Sequence, residues 1–131
     1  MSGEIIVRGL IRDALRADDA LGALVNQVSD GEPVKASAPW LMLGDAVATG
    51  WGARGVEGLT LRQPIQLVVR GDDLSRVSSV LSRVYAVLTS IDTDAGEWRI
   101  TSLRLERSRI WRSRTEWKAS VDYSVRAART L

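Results

Sequence analysis

The chain has 131 residues, of which 45% are hydrophobic and 26% are charged, with a net charge of +2. These values are ordinary for a soluble globular protein, and the length predicts a single domain over residues 1–131 with a real core. There is no Cys and no His, which excludes disulfides, thiolate nucleophiles, the usual zinc sites and every His-based triad.

The charge is unevenly distributed along the chain. From Arg99 onward nine basic residues oppose three acidic ones, a net +6, which leaves −4 for the remainder. Such asymmetry indicates a nucleic-acid surface, or two faces that meet oppositely charged neighbours in an assembly. No stretch is apolar for long enough to span a bilayer, and the N-terminus lacks the features of a signal peptide. We therefore expect a soluble protein without export.

The first third of the chain has helical spacing. Apolar residues three and four apart predict a helix over residues 4–16, and Asp18 is a candidate N-cap for a short helix over residues 19–25. Turn residues follow at 29–33. An apolar run over residues 40–47 then favours a central strand.

A glycine-rich segment, residues 48–58, carries four glycines around Trp51 and Arg54. We expect a long, mobile hairpin loop here. In the next strand, residues 59–70, apolar side chains occupy odd positions, so one face is apolar and the other polar. Pro64 cannot donate a ladder hydrogen bond, which predicts an edge position or a bulge.

A helix follows this strand directly. Asp72 is the candidate acceptor for the free amides of the first turn, and Asp73 adds favourable charge there. One apolar stripe runs from Leu74 to Ile91, typical of a helix packed on a sheet.

The C-terminal third predicts a hairpin. Residues 92–96 form a turn, and residues 98–111 form a strand whose apolar parity slips near Thr101, which indicates a β-bulge. Residues 112–115 make the tip, residues 117–126 alternate cleanly as a half-buried strand, and residues 129–131 are a tail. The predicted fold is α+β in the order α-α-β-β-α-β-β. Its mostly antiparallel sheet has about four strands, and two main helices pack on one face.

The sequence predicts no catalytic, cofactor-binding or metal-binding residues, and we interpret the chain as a non-enzyme. The carboxylate pairs at residues 18–19, 72–73 and 92/94 sit where helix caps or turns belong. The glycine segment matches neither the P-loop nor the dinucleotide fingerprint. A flexible hairpin is its simplest interpretation, and ordering against a partner is an alternative, because Trp51 has little local cover there.

The arginines before the hairpin tip invite a nucleic-acid interpretation, since Trp111 among them can stack on bases. Arg104 is even-numbered, whereas Arg107 and Arg109 are odd-numbered, so the charge is not confined to one face of a regular strand. This pattern favours a patch that meets an acidic neighbour, or phosphates passing nearby, over sequence-specific recognition.

The order of these segments resembles a known family, the small tail terminator (tail completion) proteins of long-tailed phages and gene transfer agents. The resemblance begins with Leu10-Ile11-Arg12-Asp13-Ala14-Leu15-Arg16-Ala17-Asp18-Asp19-Ala20-Leu21-Gly22-Ala23-Leu24-Val25. It continues with Pro39-Trp40-Leu41-Met42-Leu43-Gly44, the glycine segment, the strand, the Asp-started helix and the final hairpin. It covers nearly the whole chain in order and spacing, while Pro64 departs from it.

The resemblance implies a structural virion-type protein. Such proteins form a hexameric ring on the head-proximal end of the tail tube, end tube polymerisation and join the tail to the head connector. The implied partners are further copies of itself, the tail tube protein, a head-side connector, adaptor or stopper, and DNA that passes through the channel without sequence recognition. The resemblance implies no membrane partner and no cofactor. The implied location is the tail, at the head–tail junction of a virion or gene-transfer-agent particle made in the bacterial host cytoplasm.

The family carries over no catalytic residues, so the interface hypotheses rest on this sequence alone. We expect subunit, tube or connector contacts at the glycine segment and the hairpin tip, and exposed edge strands could pair across subunits. The candidate interface residues are Trp51, Arg54, Arg109, Trp111, Arg112 and Arg114. The alternatives are another head–tail joining protein (an adaptor or stopper), a nucleic-acid-binding module, and a small enzyme that uses carboxylates.

Overall fold

The computed structural model describes residues 2–131 as three helices and one seven-stranded sheet. The helices are α1 (Gly3–Ala17), α2 (Asp19–Gly22) and α3 (Leu74–Thr89). The strands are β1 (Val28–Asp30), β2 (Trp40–Leu43), β3 (Val47–Ala53), β4 (Val56–Arg70), β5 (Asp94–Ala95), β6 (Trp98–Ser113) and β7 (Glu116–Thr130).

The sheet is mostly antiparallel, in the order β1-β2-β4-β7-β6-β5, with β3 also paired to β4. Only β1 and β2 run parallel. The α+β class and the mostly antiparallel sheet are confirmed, but the strand count of about four is wrong. Two of the extra strands, β1 and β5, are only three and two residues long, too short to show a period-2 pattern.

The third extra strand comes from the glycine segment, so the prediction of a long mobile loop is wrong. Residues 47–53 pair in full with residues 56–62 around a tight turn at Arg54 and Gly55. Gly55 supplies the left-handed φ of +75° that this turn needs. Glycine normally weakens a strand, but Trp51 lies directly opposite Gly58 and its ring occupies the space that a side chain there would fill.

The core lies between the sheet and the helices. Odd positions of β4 and β7 point to this side, and the buried stripes of α1 and α3 close over them. We call this surface of the sheet the helix face and the opposite surface the helix-free face. The prediction that both main helices pack on one face agrees with this arrangement, because strand and helix periodicities each present one apolar side.

Pro64 lies inside the sheet, so the prediction of an edge position is wrong. Its physical basis holds, because proline has no amide hydrogen to donate to a neighbouring strand. On one side of β4, β2 pairs with residues 65–68 and β3 pairs with residues 56–62. The chain leaves the sheet between these two strands, at residues 44–46. The Pro64 carbonyl accepts a hydrogen bond from the Gly44 amide at 2.9 Å, and no ladder donor is required of Pro64 at this break.

The helix caps follow the predicted chemistry with one correction. Asp18 caps α2 and accepts a hydrogen bond from the Leu21 amide at 2.9 Å, as predicted. For α3, Asp73 rather than Asp72 is the N-cap, since its side chain accepts from the amides of Ser75 and Arg76. Asp72 instead pairs with an arginine of the C-terminal hairpin, which sequence spacing cannot reveal.

The C-terminal hairpin contains two bulges. The predicted bulge is confirmed by a register shift between Ile100 and Ser102, and a second shift lies between Leu105 and Arg107. The second bulge overturns the parity argument for the arginines. Arg104, Arg107 and Arg109 pair with Ser124, Asp122 and Ser120, which alternate along one side of β7. All three arginines therefore share the helix-free face.

Several segment ends also differ from the predictions. β7 continues to Thr130, so the predicted tail from residue 129 is wrong, and Arg129 is fixed by an ion pair with Glu57 at 2.7 Å. β2 ends at Leu43 and not at residue 47 as predicted. The predicted hairpin tip, residues 112–115, is shorter in the structure, where the turn consists of Arg114 and Thr115. Isolated patterns locate strand ends poorly, because pairing partners decide where a strand stops.

Candidate functional site

The helix-free face forms an open, curved groove of about 600 Å³. Strands β4, β7 and β6 form its floor and the start of β3 its rim. Its charges are partly neutralised within the chain, since Arg107 binds Asp122 at 2.6 Å and Arg62 binds Glu106 at 3.1 Å. The groove therefore presents both signs of charge, with arginine in excess on β6.

Two arginines on this face stack on tryptophans. The Arg109 guanidinium lies 4.4 Å from the ring centre of Trp111, and that of Arg126 lies 4.6 Å from Trp51. A cation over an aromatic face is attracted by the ring quadrupole. Two of the predicted interface residues, Arg109 and Trp111, thus contact each other along β6.

Trp51 is not the bare loop residue that the sequence suggested. It is half-buried in β3, between Gly58 beneath and Arg126 above. Its indole Nε1 is buried without a hydrogen-bond partner among the described residues. Arg54, by contrast, is exposed in the two-residue turn of the β3–β4 hairpin.

Arg112 and Arg114 have different environments although they are two residues apart. Arg112 pairs with Asp72 at 2.6 Å and donates to the Gly71 carbonyl, so it fixes the approach to α3. Arg114 is exposed at the β6–β7 turn with a left-handed φ of 53°.

The two hairpin turns lie at opposite ends of the sheet. Val56, next to the first turn, pairs with Thr130, whereas Arg70 pairs with Glu116, next to the second turn. Residues 56–70 span ~46 Å at about 3.3 Å per residue in a straight strand. The predicted interface residues therefore do not form one site: Trp51 and Arg54 belong to one end, and the other four belong to the other end.

A buried polar cluster escaped the sequence analysis. Gln63 is fully buried on the helix face, where it accepts a hydrogen bond from Arg8 at 2.8 Å and donates to the Gly44 carbonyl at 3.0 Å. Arg8 also binds Asp30. Burial alone would raise the pKa of Asp30, but the hydrogen bonds and charges of Arg8 and Arg12 outweigh it and lower that pKa. The cluster holds α1 to the break between β2 and β3. Its one signal in the sequence is a glutamine at an odd position of β4, among apolar residues.

A second ion pair joins the short helix to α3. The Asp18 carboxylate receives hydrogen bonds from the Arg83 Nε and Nη2 at 2.7 and 2.6 Å. The hydrogen bonds from Arg83 lower the pKa of Asp18 to about 2, against the opposing effect of burial and with help from the Leu21 amide. These interactions join α1, α2 and α3 to the rest of the fold.

Residues 2–131 contain no group of three or more acidic side chains arranged to hold a metal ion. None of their helices has the length and apolar character needed to cross a membrane. The described residues present a curved sheet with one uncovered face, two exposed turns and open strand edges. Open strand edges are surfaces on which other chains can pair.

Comparison with known proteins identifies the family. Residues 9–128 match the model of the family "Tail completion protein gp17", so the chain belongs to the tail completion proteins, which are structural components of phage-type tails. This confirms the resemblance inferred from the order of segments. No curated protein matches the sequence.

Solved structures share the fold, among them these two. One is a chain of the "Virion of native gene transfer agent (GTA) particle", with a TM-score of 0.78 at 20% identity over 90% of this chain and 91% of that one. The other is the gp17 protein of bacteriophage SPP1, with a TM-score of 0.55 at 17% identity over 96% and 88% of the two chains. Membership of the family locates the protein in the tail of a virion-type particle.

Proposed function

We propose that this protein forms a hexameric ring on the head-proximal end of the tail tube, where it ends tube polymerisation and joins the tail to the head connector. The observation that carries the proposal is membership of the tail completion family over residues 9–128. The fold of a gene-transfer-agent virion chain and of a phage gp17 protein supports it.

The arrangement of the exposed turns suits such a role. A terminator must contact the tube on one side and the head connector on the other, and the two turns with Arg54 and Arg114 lie at opposite ends of the sheet. We assign one turn to each axial partner. Arg109 and Trp111, next to the second turn, form part of the same end. DNA passes through the channel of the ring without sequence recognition.

The first experiment measures the solution mass by light scattering after gel filtration over a range of concentrations. A hexamer has a mass of about 86 kDa, six times the 14.3 kDa of the subunit. The same protein is then added to growing tubes of the cognate tail tube protein, and tube lengths and ends are measured by electron microscopy. We expect shorter tubes with a ring on one end.

The outcomes separate termination from other joining roles. A ring that never sits on tube ends but binds the head connector would indicate an adaptor or stopper. Absence of a hexamer both in solution and on tube ends would refute the ring. Because the tube end can template assembly, a monomer in solution contradicts the proposal only together with uncapped tubes.

A further inference from the structure

The outer edge of β6 has no partner strand over most of its length. β5 pairs only with Trp98 and Arg99, and β7 occupies the other edge of β6. From Thr101 to Ser113, therefore, the outward backbone groups meet no other strand within residues 2–131. An open edge of this kind is a template for an added strand.

The helix-face row of this edge holds two exposed apolar side chains, with Ser108 between them and Arg112 beyond. Leu105 is 43% exposed and Ile110 is 48% exposed, although both point to the side of the sheet that carries the core. Tyr85 of α3, itself 49% exposed, lies near Tyr123, which is the cross-strand partner of Leu105. The start of β6 is covered, since Trp98 and Ile100 are buried, but Leu105 and Ile110 are left uncovered.

The helix-free row of the same edge is basic. The second bulge aligns Arg104, Arg107 and Arg109 on one side, as the cross-strand pairs with β7 require. Arg107 already binds Asp122, but Arg104 and Arg109 have no acidic side chain within 4 Å in the described part of the chain. The edge therefore offers an apolar row, interrupted by Ser108, on one side. On the other side it offers two arginines without an acidic partner, next to Glu106, which Arg62 binds.

We propose that this β6 edge binds, by strand addition, an extended segment of a partner protein in which apolar and acidic residues alternate. Side chains directly opposite each other on neighbouring strands lie about 5 Å apart and interact. One row of the partner would cover Leu105 and Ile110 beside α3. Its other row would place carboxylates against Arg104 and Arg109, where opposite charges across a pair are favourable.

The side-chain rows argue against a second copy of this chain as the occupant. The free edge of β3 presents small residues on its helix-face row, among them Ala48 and Gly50, which cannot cover Ile110. Its other row, Val47, Thr49 and Trp51, contains no acid. Pairing β6 with β6 would bring the arginine rows of two copies onto one side of a joined sheet, which adds like charge and no free acid. Complementarity is therefore expected from a different protein.

Arginines and bulges can also serve to protect an edge from pairing. That explanation does not account for exposed Ile110, since protection removes apolar side chains from an edge rather than adding them. Ile110 lies within residues 107–113, a stretch that pairs with β7 without a register shift. Seven regular residues are enough for a strand of ordinary length.

The test uses the full chain and a synthetic peptide of about nine residues in which valine and glutamate alternate. Binding is measured by fluorescence anisotropy at two salt concentrations and mapped by NMR. The variant Ile110→Asp puts a negative charge into the apolar row. The matched control is Val47→Asp, because Val47 is a 62% exposed valine on the free edge of β3. Two control peptides have the same length. One carries lysine in place of glutamate, and the other has the same composition with its valines and its glutamates grouped in separate blocks.

We expect the peptide to shift resonances of residues 101–113, and Ile110→Asp to raise its Kd by about tenfold or more while Val47→Asp leaves it unchanged. The lysine and block peptides should bind at least about tenfold more weakly. No binding, equal binding of the block peptide, or equal loss in the control would overturn the proposal. Binding of a short DNA duplex to the arginine row, with an affinity that Ile110→Asp does not change, would also overturn the proposal. The surface would then be a contact for phosphates. None of these outcomes bears on the ring, which is tested by mass and by capped tubes.

Discussion

At the scale of single residues, the interaction between Asp18 and Arg83 makes the stability of the fold depend on pH. The folded state lowers the pKa of Asp18 to about 2, from an ordinary value of 3.8. A lowered pKa stabilises the fold fully above the ordinary value, and the contribution is lost as pH falls from about 4 through 2. The sequence identified Asp18 as a cap, but Arg83 lies 65 residues away, so its role depends on tertiary contact.

The variant Asp18→Asn tests this interaction, because asparagine is also a good N-cap but cannot form the ion pair. We expect it to lower the free energy of unfolding by about 1 kcal/mol at neutral pH, given that Arg83 is partly exposed. The difference from the unsubstituted protein should shrink as pH falls from 4 to 2. Urea unfolding at several pH values measures it. Asp19→Asn, next in the chain and exposed, is the control. A difference that stays constant with pH would show that Asp18 acts only as a cap.

The hydrogen-bond partners of Gln63 could not be predicted from the sequence. Its parity in β4 predicts that it points into the core, but no pattern in the sequence says which groups satisfy it there. The answer depends on Arg8 of α1 and on the break at Gly44, both distant in sequence. Buried polar groups need partners, and only the assembled fold brings these partners together.

At the scale of elements, the β3–β4 hairpin differs most from its prediction. Period-2 alternation of apolar and polar residues is the signal for a strand, and four glycines remove it. The hairpin has one aromatic contact in place of alternating side chains, since Trp51 lies across from Gly58. By contrast, β4, α3 and β7 carry clear periodicities, and the sequence predicted all three within a few residues. These elements differ in how many side chains indicate, by being apolar or polar, which face is buried.

The Trp51–Gly58 contact gives a test of the hairpin. A Cβ at residue 58 would lie 2.2 Å from an atom of the Trp51 ring, so Gly58→Ala must displace the ring from beneath Arg126. We expect a loss of about 1–3 kcal/mol in the free energy of unfolding, typical of overpacking. Gly50→Ala in the same hairpin is the control, because a Cβ there meets nothing within 4 Å.

A second substitution makes that test specific. Adding Trp51→Val to Gly58→Ala removes the clash, so the two changes should be coupled in a double-mutant cycle rather than additive. Urea denaturation measures each free energy. Equal effects of the two alanine substitutions would mean that the ring does not depend on Gly58. The hairpin would then be held by its ladder of backbone hydrogen bonds alone.

At the scale of the whole molecule, two exposed turns lie at opposite ends of one sheet, and the proposed function assigns each of them to a different partner. The long pairing of β4 with β7, from Val56 with Thr130 to Arg70 with Glu116, sets the separation of these ends. The sequence predicted both turns as partner-seeking segments but could not place them relative to each other. Their separation follows from strand register, which is a property of the sheet and not of either segment.

This arrangement predicts that the two ends fail separately. Arg54→Asn and Arg114→Asn each remove one exposed charge, and asparagine tolerates the left-handed φ of 53° at residue 114. Each variant should unfold with nearly the free energy of the unsubstituted protein, because exposed substitutions usually change it by less than about 0.5 kcal/mol. In assembly with purified tubes and heads, one variant should lose tube capping and keep head joining, and the other should do the reverse. If both variants lost the same step, the two turns would act on one partner, and the axial assignment would be wrong even with the ring intact.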